Sequence, residues 1–328
     1  MITDSYGRTM NYLRLAVTDR CNLRCAYCMP EEGLDWIPRK ELMTYEEMWR
    51  ICSLFVKMGV EKIRITGGEP FVRKNLLSFL KDISGVSGLR ELTLTTNGLL
   101  TAPAVPELKK IGIRTVNLSL DTLDKDRFIR ITHRNGLDKV LATLDGLLQH
   151  DIAVKINTVV MEGRNIADII PLVQLTKTLP VSVRFIEEMP FNGGSHQVCL
   201  NWDHKHIREH IQGYFPGMLR TVDLPNATAC NYNIPGHKGD VGIIAAYTRS
   251  FCGTCNRIRI TPTGVLRTCL YDAGKLNLKD AMRNGNTDAE LQNMITDIIL
   301  GKPKDGWEAQ NMLVKQHRER ESMATIGG

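Results

Sequence analysis

Residues 21–28 read CNLRCAYC and place three cysteines, Cys21, Cys25 and Cys28, within eight positions, just after the apolar run YLRLAV that begins at Tyr12. A lone cysteine is ordinarily a small buried hydrophobe. Three on one loop, flanked by Asp19, Arg20, Asn22 and Arg24, cannot all face an apolar interior. A closed structural zinc site wants four ligands, commonly as two separated pairs, yet the next cysteine here is Cys52. Iron–sulfur clusters are held by thiolates, and a four-iron cluster given only three keeps one iron without a protein ligand. At such an iron a small molecule can coordinate and receive an electron.

Outward from this loop, short apolar or β-branched runs alternate with helical patterns up to residue 186. The predicted strands are YLRLAV from Tyr12, KIRIT from Lys62, ELTLTT from Glu91, TVNLSL from Thr115, AVKINTVV from Ala153 and VSVRFIE from Val181. Helical patterns fill the gaps, as in TYEEMWRICSLFVKMG, where Thr44 and Glu47 form a capping box, and in NIADIIPLVQLTKTL from Asn165. That order predicts an α/β fold of parallel strands. Six units suggest an incomplete (β/α)6 barrel of the TIM type, although an open doubly wound sheet has the same periodicity.

Residues 1–190 are expected to form this partial barrel, and 191–328 a second region. It holds a turn at Gly193 and Gly194, a charged helix near 203–214, an irregular stretch from Asn226 to Lys238, a hairpin from RIRIT into VLRTCLY, and a helix over Asp288–Leu300. Gly327 and Gly328 end the chain as an expected flexible tail.

The chain has 328 residues, 43% of them hydrophobic, enough for a large core. No apolar run has the length of a bilayer crossing, and MITDSYGRTMNYLRL lacks the apolar core of a secretory signal. A cytoplasmic location is expected, where the nine cysteines stay reduced. The net charge of +6 is spread without a Lys/Arg block, which speaks against nucleic acid and for a small anionic substrate.

Further polar groups cluster where predicted strands end: Gly67-Gly68-Glu69-Pro70 after KIRIT, Thr95-Thr96-Asn97-Gly98, and Ser119-Leu120-Asp121. In a parallel barrel the C-terminal strand ends share the ligand-binding face, which favours barrel over open sheet. The CxxxCxxC spacing, with Tyr27 before its last cysteine, resembles the signature of the radical S-adenosylmethionine (SAM) enzymes. The resemblance implies a 4Fe-4S cluster on Cys21, Cys25 and Cys28 whose open iron chelates SAM and cleaves it to a 5′-deoxyadenosyl radical.

A second trio follows in FCGTCNRIRITPTGVLRTCLY: Cys252, Cys255 and Cys269. By spacing alone this is also compatible with a zinc knuckle completed by His237 or Cys230. Arg257 and Arg259, two apart on a predicted strand, emerge on one side, as a fork for phosphate or a purine edge does.

Together with GGEP, TTNG and the terminal Gly-Gly, the pattern FCxxCxRxRxTxxGxLxxCL resembles the GTP 3′,8-cyclases of molybdenum cofactor biosynthesis over nearly the whole chain. The resemblance implies a second 4Fe-4S cluster on Cys252, Cys255 and Cys269 that meets the guanine of GTP. It assigns GTP contacts to Arg14, Arg64, Thr95, Lys155, Arg257 and Arg259, with Arg14, Arg257 and Arg259 at the reacting groups. SAM contacts fall on Tyr27, Gly67, Gly68, Glu69, Ser119 and Met189, while Gly327 and Gly328 reach into the site.

The implied reaction takes hydrogen from C3′ of GTP and joins C3′ to C8, giving 3′,8-cyclo-7,8-dihydro-GTP. Implied partners are a low-potential electron donor, cyclic pyranopterin monophosphate synthase as the next enzyme, and a second copy in a homodimer, with no nucleic acid or membrane. The stretch 192–240 carries no family landmark. A radical SAM enzyme acting on a peptide or protein, and a non-enzymatic iron–sulfur or zinc module, are the alternatives.

Overall fold

The computed structural model describes residues 1–191, 200–223, 225–315 and 321–327. Its strands are β1 (Tyr12–Ala16), β2 (Lys62–Thr66), β3 (Glu91–Thr96), β4 (Thr115–Ser119), β5 (Ala153–Val160), β6 (Val181–Glu187), β7 (Leu219–Arg220), β8 (Ala229–Asn233), β9 (Asp240–Ile244), β10 (Arg257–Ile260), β11 (Val265–Arg267) and β12 (Leu276–Asn277). All join one sheet in the order β12-β11-β10-β1-β2-β3-β4-β5-β6-β9-β8-β7. From β10 through β9 every neighbouring pair is parallel, and only the outer strands are antiparallel.

The crossovers are helices α1 (Tyr45–Lys57), α2 (Leu76–Ser84), α3 (Val105–Ile111), α4 (Lys125–Thr132), α5 (Leu137–Gln149) and α6 (Ile169–Thr178). Thr44 accepts from the Glu47 amide and Glu47 accepts from the Thr44 amide, the predicted capping box. Before α6 the chain makes a 3₁₀ turn over Ile166–Asp168, and Pro171 then sits in the first helical turn, where its missing N–H costs no bond. Alternate strand residues such as Leu13, Leu15, Ile63, Ile65, Val183 and Phe185 are buried in one core with Ile51, Phe55, Leu80 and Leu172 of the helices. The intervening positions, with the opposite pleat, are polar: Tyr12, Arg14, Lys62, Arg64, Lys155, Arg184.

Curling of the sheet turns that polar face inward. Laid flat, β1 and β6 would stand five strands apart, about 24 Å. Instead the Arg184 guanidinium on β6 senses Tyr12 on β1, and Arg64 on β2 senses Arg184. The result is consistent with the expected incomplete barrel, with its interior lined by charge and not by the packed aliphatic layers of a complete one.

Three features differ from expectation. Asn226–Lys238 is not irregular throughout, because Ala229–Asn233 pairs antiparallel with β9, whose DVGII is buried beside β6. The polar ACNYN carries no strand periodicity of its own, so only its neighbour reveals it. Strands β9 and β10, from beyond residue 190, flank β6 and β1 in parallel and extend the sheet past six strands. The tail is packed and not frayed up to Gly327: Ser322 caps a short helix at Met323–Ile326, with Ala324 and Ile326 buried.

The charged helix at His204–Tyr214, the hairpin of β10 with β11, and the helix at Asp288–Leu300 stand where predicted. The Gly193-Gly194 turn and Gly328 lie outside the described residues. Among the described residues, no helix is long and apolar enough to cross a membrane.

Phe185 is fully buried on the helix side of β6, whereas Trp49 on α1 is 45% exposed. Phe185→Ala is expected to lower stability by about 3–5 kcal/mol and Trp49→Ala by about 0.5 kcal/mol or less, measured by urea unfolding.

Candidate active site

The loop after β1 is pressed against the loop after β2. The Gly68 amide donates to Thr18 O (2.8 Å) and the Glu69 amide to Arg20 O (2.8 Å). A Cβ on Gly68 would stand 2.3 Å from Arg20 O, so this approach requires glycine. Glu69 is fully buried, and its carboxylate accepts from the amides of Asn97 (2.7 Å) and Phe71 (3.1 Å) and from Thr96 Oγ1 (2.9 Å). Burial pushes it up to about 7. Glu69 thus ties the GGEP turn to the TTNG turn, and its side chain is outside the lining of the cavity beside it.

That cavity, about 200 Å³, is lined by Cys21, Cys25, Cys28 and Tyr27 together with Gly67, Gly68, Thr95, Ser119, Asp121, Asn157, Glu187 and Met189. Contributions from β1 through β6 therefore meet at one end of the sheet. Tyr27 Oη donates to Asp121 Oδ2 (2.9 Å), while Asp121 Oδ1 accepts from the Val159 amide (2.8 Å). Burial drives the Asp121 carboxyl up to about 7 and raises the thiols, Cys21 to about 11 and Cys28 to about 12. Loading a metal here must release those protons.

The second trio sits beside β10 and β11. Burial would raise the Cys255 thiol, but Arg257 and then Lys302 draw it down to about 6. Lys302 is itself buried, with Nζ 3.9 Å from Cys255 Sγ and 2.8 Å from Arg257 O. Arg257 also covers the Phe251 ring at 4.9 Å.

Among the described residues no three His, Cys, Asp or Glu side chains converge on a single-ion site. A four-iron cluster does not ask for that, since each thiolate takes a different iron. The zinc ligands considered from sequence are engaged elsewhere: His237 Nδ1 contacts Thr176 Oγ1 (2.7 Å), and Cys230 lies beside Arg220 (3.9 Å). Each donor set would suit a four-iron cluster: there are three thiols at each, with Lys302 and Arg257 beside the second trio, where they would offset a cluster's negative charge.

The chain terminus joins the two thiol sites. Ser322 Oγ donates to Cys28 O (2.5 Å), and Arg259 Nη1 donates to Gly327 O (2.7 Å). A Cβ on Gly327 would lie 2.6 Å from Ala16 Cβ and 2.9 Å from Thr66 Oγ1, so a side chain would not pass. Met189 and Met323, both lining the first cavity, pack in one apolar cluster with Cys269, Phe191, Tyr271 and Ile326.

Between the sites the strand register stacks the cations. Arg257 pairs with Tyr12 and Tyr12 with Lys62; Arg259 pairs with Arg14 and Arg14 with Arg64. Lys155 stands level with Asn117, and Arg184 with Asn157. Lys62, Arg64 and Arg14 surround the Tyr12 ring at 5.3, 5.4 and 5.7 Å. Burial and neighbouring cations push Arg14 down to about 10 and Lys155 to about 8. Nε of Arg14, Arg64, Arg184 and Arg257, Oη of Tyr12, and Oδ1 of Asn117 and Asn157 have no hydrogen-bond partner among the described residues. The two amide oxygens are acceptors, but four buried guanidinium donors this close together call for a polyanion.

Every GTP contact expected from the sequence is drawn to this face or to the cavity. Tyr12, Asn157 and Arg184, also on this face or in the cavity, are absent from that expectation, though each is a polar residue at an inward position of a predicted strand, which was a usable signal; Lys62 shares the face but is paired with Glu91.

A family model for the radical SAM superfamily matches residues 15–176, and one described as Molybdenum Cofactor Synthesis C matches residues 181–307. A GTP 3′,8-cyclase of Clostridium perfringens is 40% identical over 99% of both chains. The mitochondrial GTP 3′,8-cyclase of Arabidopsis thaliana is 40% identical over 92% of this chain and 78% of its own. Mouse molybdenum cofactor biosynthesis protein 1 is 41% identical over 92% of this chain, which spans 48% of that longer protein. Among solved structures, Streptococcus suis SuiB bound to SAM shares the fold at a TM-score of 0.64 and 16% identity, over 96% of this chain and 76% of that one. The two thiol trios, the cationic chamber between them and relatives matched end to end lead to one conclusion: the chain belongs to the GTP 3′,8-cyclase family of radical SAM enzymes in molybdenum cofactor biosynthesis.

Proposed function

We propose that the chain cyclises GTP to 3′,8-cyclo-7,8-dihydro-GTP in the chamber between two 4Fe-4S clusters, one on Cys21, Cys25 and Cys28 and one on Cys252, Cys255 and Cys269. The single observation that carries this reading is the set of unpartnered guanidinium nitrogens facing inward between the thiol trios. In architectural terms it is an incomplete (β/α)6 barrel over residues 1–190, completed by a C-terminal extension that supplies β9, β10 and the second trio.

When bound, the first cluster and SAM supply a reducing electron and a hydrogen-abstracting adenosyl group. The residues of this chain bind and orient. The Gly67-Gly68 backbone, Ser119, Met189 and the Tyr27–Asp121 pair line the SAM end. Met189 and Met323 cover it with apolar surface, which keeps water from a reactive centre. Arg14, Arg64, Lys155 and Arg184 hold the triphosphate by charge-assisted bonds, while Lys62 on the same face is paired with Glu91 at 2.7 Å. Arg257 and Arg259 stand between the chamber and the second trio, where they position the base, and Arg259 fixes the Gly327 carbonyl at the edge of the first cavity. Selectivity for one ribose hydrogen then comes from position and not from acid–base chemistry.

The same reading includes a low-potential electron donor, transfer of product to cyclic pyranopterin monophosphate synthase, a homodimer and a reducing cytoplasm. A peptide substrate would not need a dense row of buried cations.

Anaerobically reconstituted protein is expected to carry about eight irons per chain, and about four after replacing Cys252 and Cys255 by Ala. Four or fewer in the parent would remove the second cluster. Cys25→Ala should abolish 5′-deoxyadenosine formation from SAM.

Arg184→Ala should keep its iron and SAM cleavage but raise KM for GTP at least tenfold, roughly the loss of one charge-assisted contact. The Lys155 ammonium, at about 8, must be charged to hold the triphosphate, so GTP affinity should fall as pH rises above 8. The fall approaches about tenfold per unit, because binding must recapture the proton. In Lys155→Met that slope should vanish, as isothermal titration across pH 7–9 will show.

A further inference from the structure

Behind the first thiol loop, on the outer face of the sheet's helical layer, lie two adjoining grooves of about 430 and 650 Å³. Arg130 and Arg164 line both; Arg127 lines one, and His133 and Arg134 the other. Two of these groups have carboxylate partners, since Arg127 pairs with buried Asp168 and His133 with Glu31 at 3.3 Å. Arg130 and Arg164 make no ion pair among the described residues, and Ile129 presents an exposed apolar side chain at the same edge. The net field of the grooves is positive.

Their floor belongs to the thiol site. The Ala26 amide donates to Ile131 O (3.0 Å) and the Arg24 amide to Thr132 O (2.8 Å), bracketing Cys25. Ile131 lines the groove, while Phe128 and Thr132 of the same helix line the cavity with the three cysteines. One hydrogen bond and one peptide therefore separate the groove from Cys25. The chamber side of that site faces substrate, so an electron has to arrive from outside.

We propose that these arginine-lined grooves dock a small acidic electron-carrier protein that reduces the cluster on Cys21, Cys25 and Cys28. The proposal rests on the assignment of that cluster. In the step, the carrier's iron–sulfur centre gives up one electron and the cluster gains it, with no bond made or broken and no proton moved. Arg130 and Arg164 meet the carrier's carboxylates, Ile129 supplies a desolvated contact, and opposite charges steer the encounter.

The test compares the reconstituted parent with a variant carrying Arg130→Glu and Arg164→Glu, and with the milder Arg130→Gln, Arg164→Gln pair, each with parental circular dichroism and iron content. An acidic ferredoxin, kept reduced by its reductase, is the probe, and dithionite the small-molecule control. Docking predicts that ferredoxin binding by calorimetry weakens at least about tenfold in the Glu pair and less in the Gln pair, with a flatter dependence on ionic strength. 5′-Deoxyadenosine formation driven by ferredoxin should fall in parallel, while the dithionite-driven rate stays within about twofold. Ferredoxin binding and turnover unchanged in the Glu pair would overturn the proposal. So would inorganic pyrophosphate binding to the parent grooves where ferredoxin does not. Absence of 5′-deoxyadenosine from the parent with dithionite would instead refute the enzymatic reading, while the binding arm still decides docking.

Discussion

Buried guanidinium groups facing one another across a curled sheet are an unstable arrangement by themselves, and the rest of the molecule is organised around tolerating them. Arg14, Arg64, Arg184 and Arg257 form a chain of mutually repelling neighbours, and their Nε atoms find no acceptor among the described residues. Packing on the opposite side of the same strands offsets that strain. Leu13, Ile63, Val183 and Phe185 alternate with the cations and are fully buried under the helices. On the proposed function, a triphosphate would convert the unfavourable interior into a charge-assisted network, with substrate affinity stored in the free protein as electrostatic strain.

The loops at the strand ends show a second form of the same economy. Glu69 accepts from Phe71, Thr96 and Asn97, which locks the loops after β2 and β3 together. The glycines beside it then hold the backbone against the thiol loop. Glu187, also without exposure, accepts from the amides of His204, Tyr247 and Thr248 and so fastens β6 to segments of the C-terminal half. These clamps fix the spacing between the two thiol sites, which a radical reaction governed by position requires.

Much of this was legible in the chain. All six leading strands, the capping box at Thr44, the β10–β11 hairpin and the helix at Asp288–Leu300 arise from local periodicity and turn chemistry, which are properties of contiguous residues. The cysteine spacing and the Arg257/Arg259 fork are likewise local, because residues two apart on a strand share a face. Lone cysteines are expected in the core, and Cys52 is fully buried whereas Cys230 is only partly so, with Cys199 outside the described residues. Strand β8 escaped because ACNYN is shaped by its partner and not by its own pattern. Composition alone makes the Ser-to-Gly terminus look frayed, and only the family resemblance pointed it inward, because its packing depends on Cys28 and Arg259 being brought to it.

The sequence alone determined where the two thiol trios fall and which strands precede or follow them, since thiol spacing, alternation and caps act over a few bonds. Only the tertiary structure decided that Tyr12, Lys62 and Arg184 belong to the chamber with Arg14 and Lys155, that Glu69 is a clamp behind the cavity wall, and that Gly327 lies between the two thiol sites. The physical reason is register and curl. Which side chains become level neighbours across a sheet, and how far the sheet bends, depends on the packing of helices far apart in the chain, and no short window of residues contains that information.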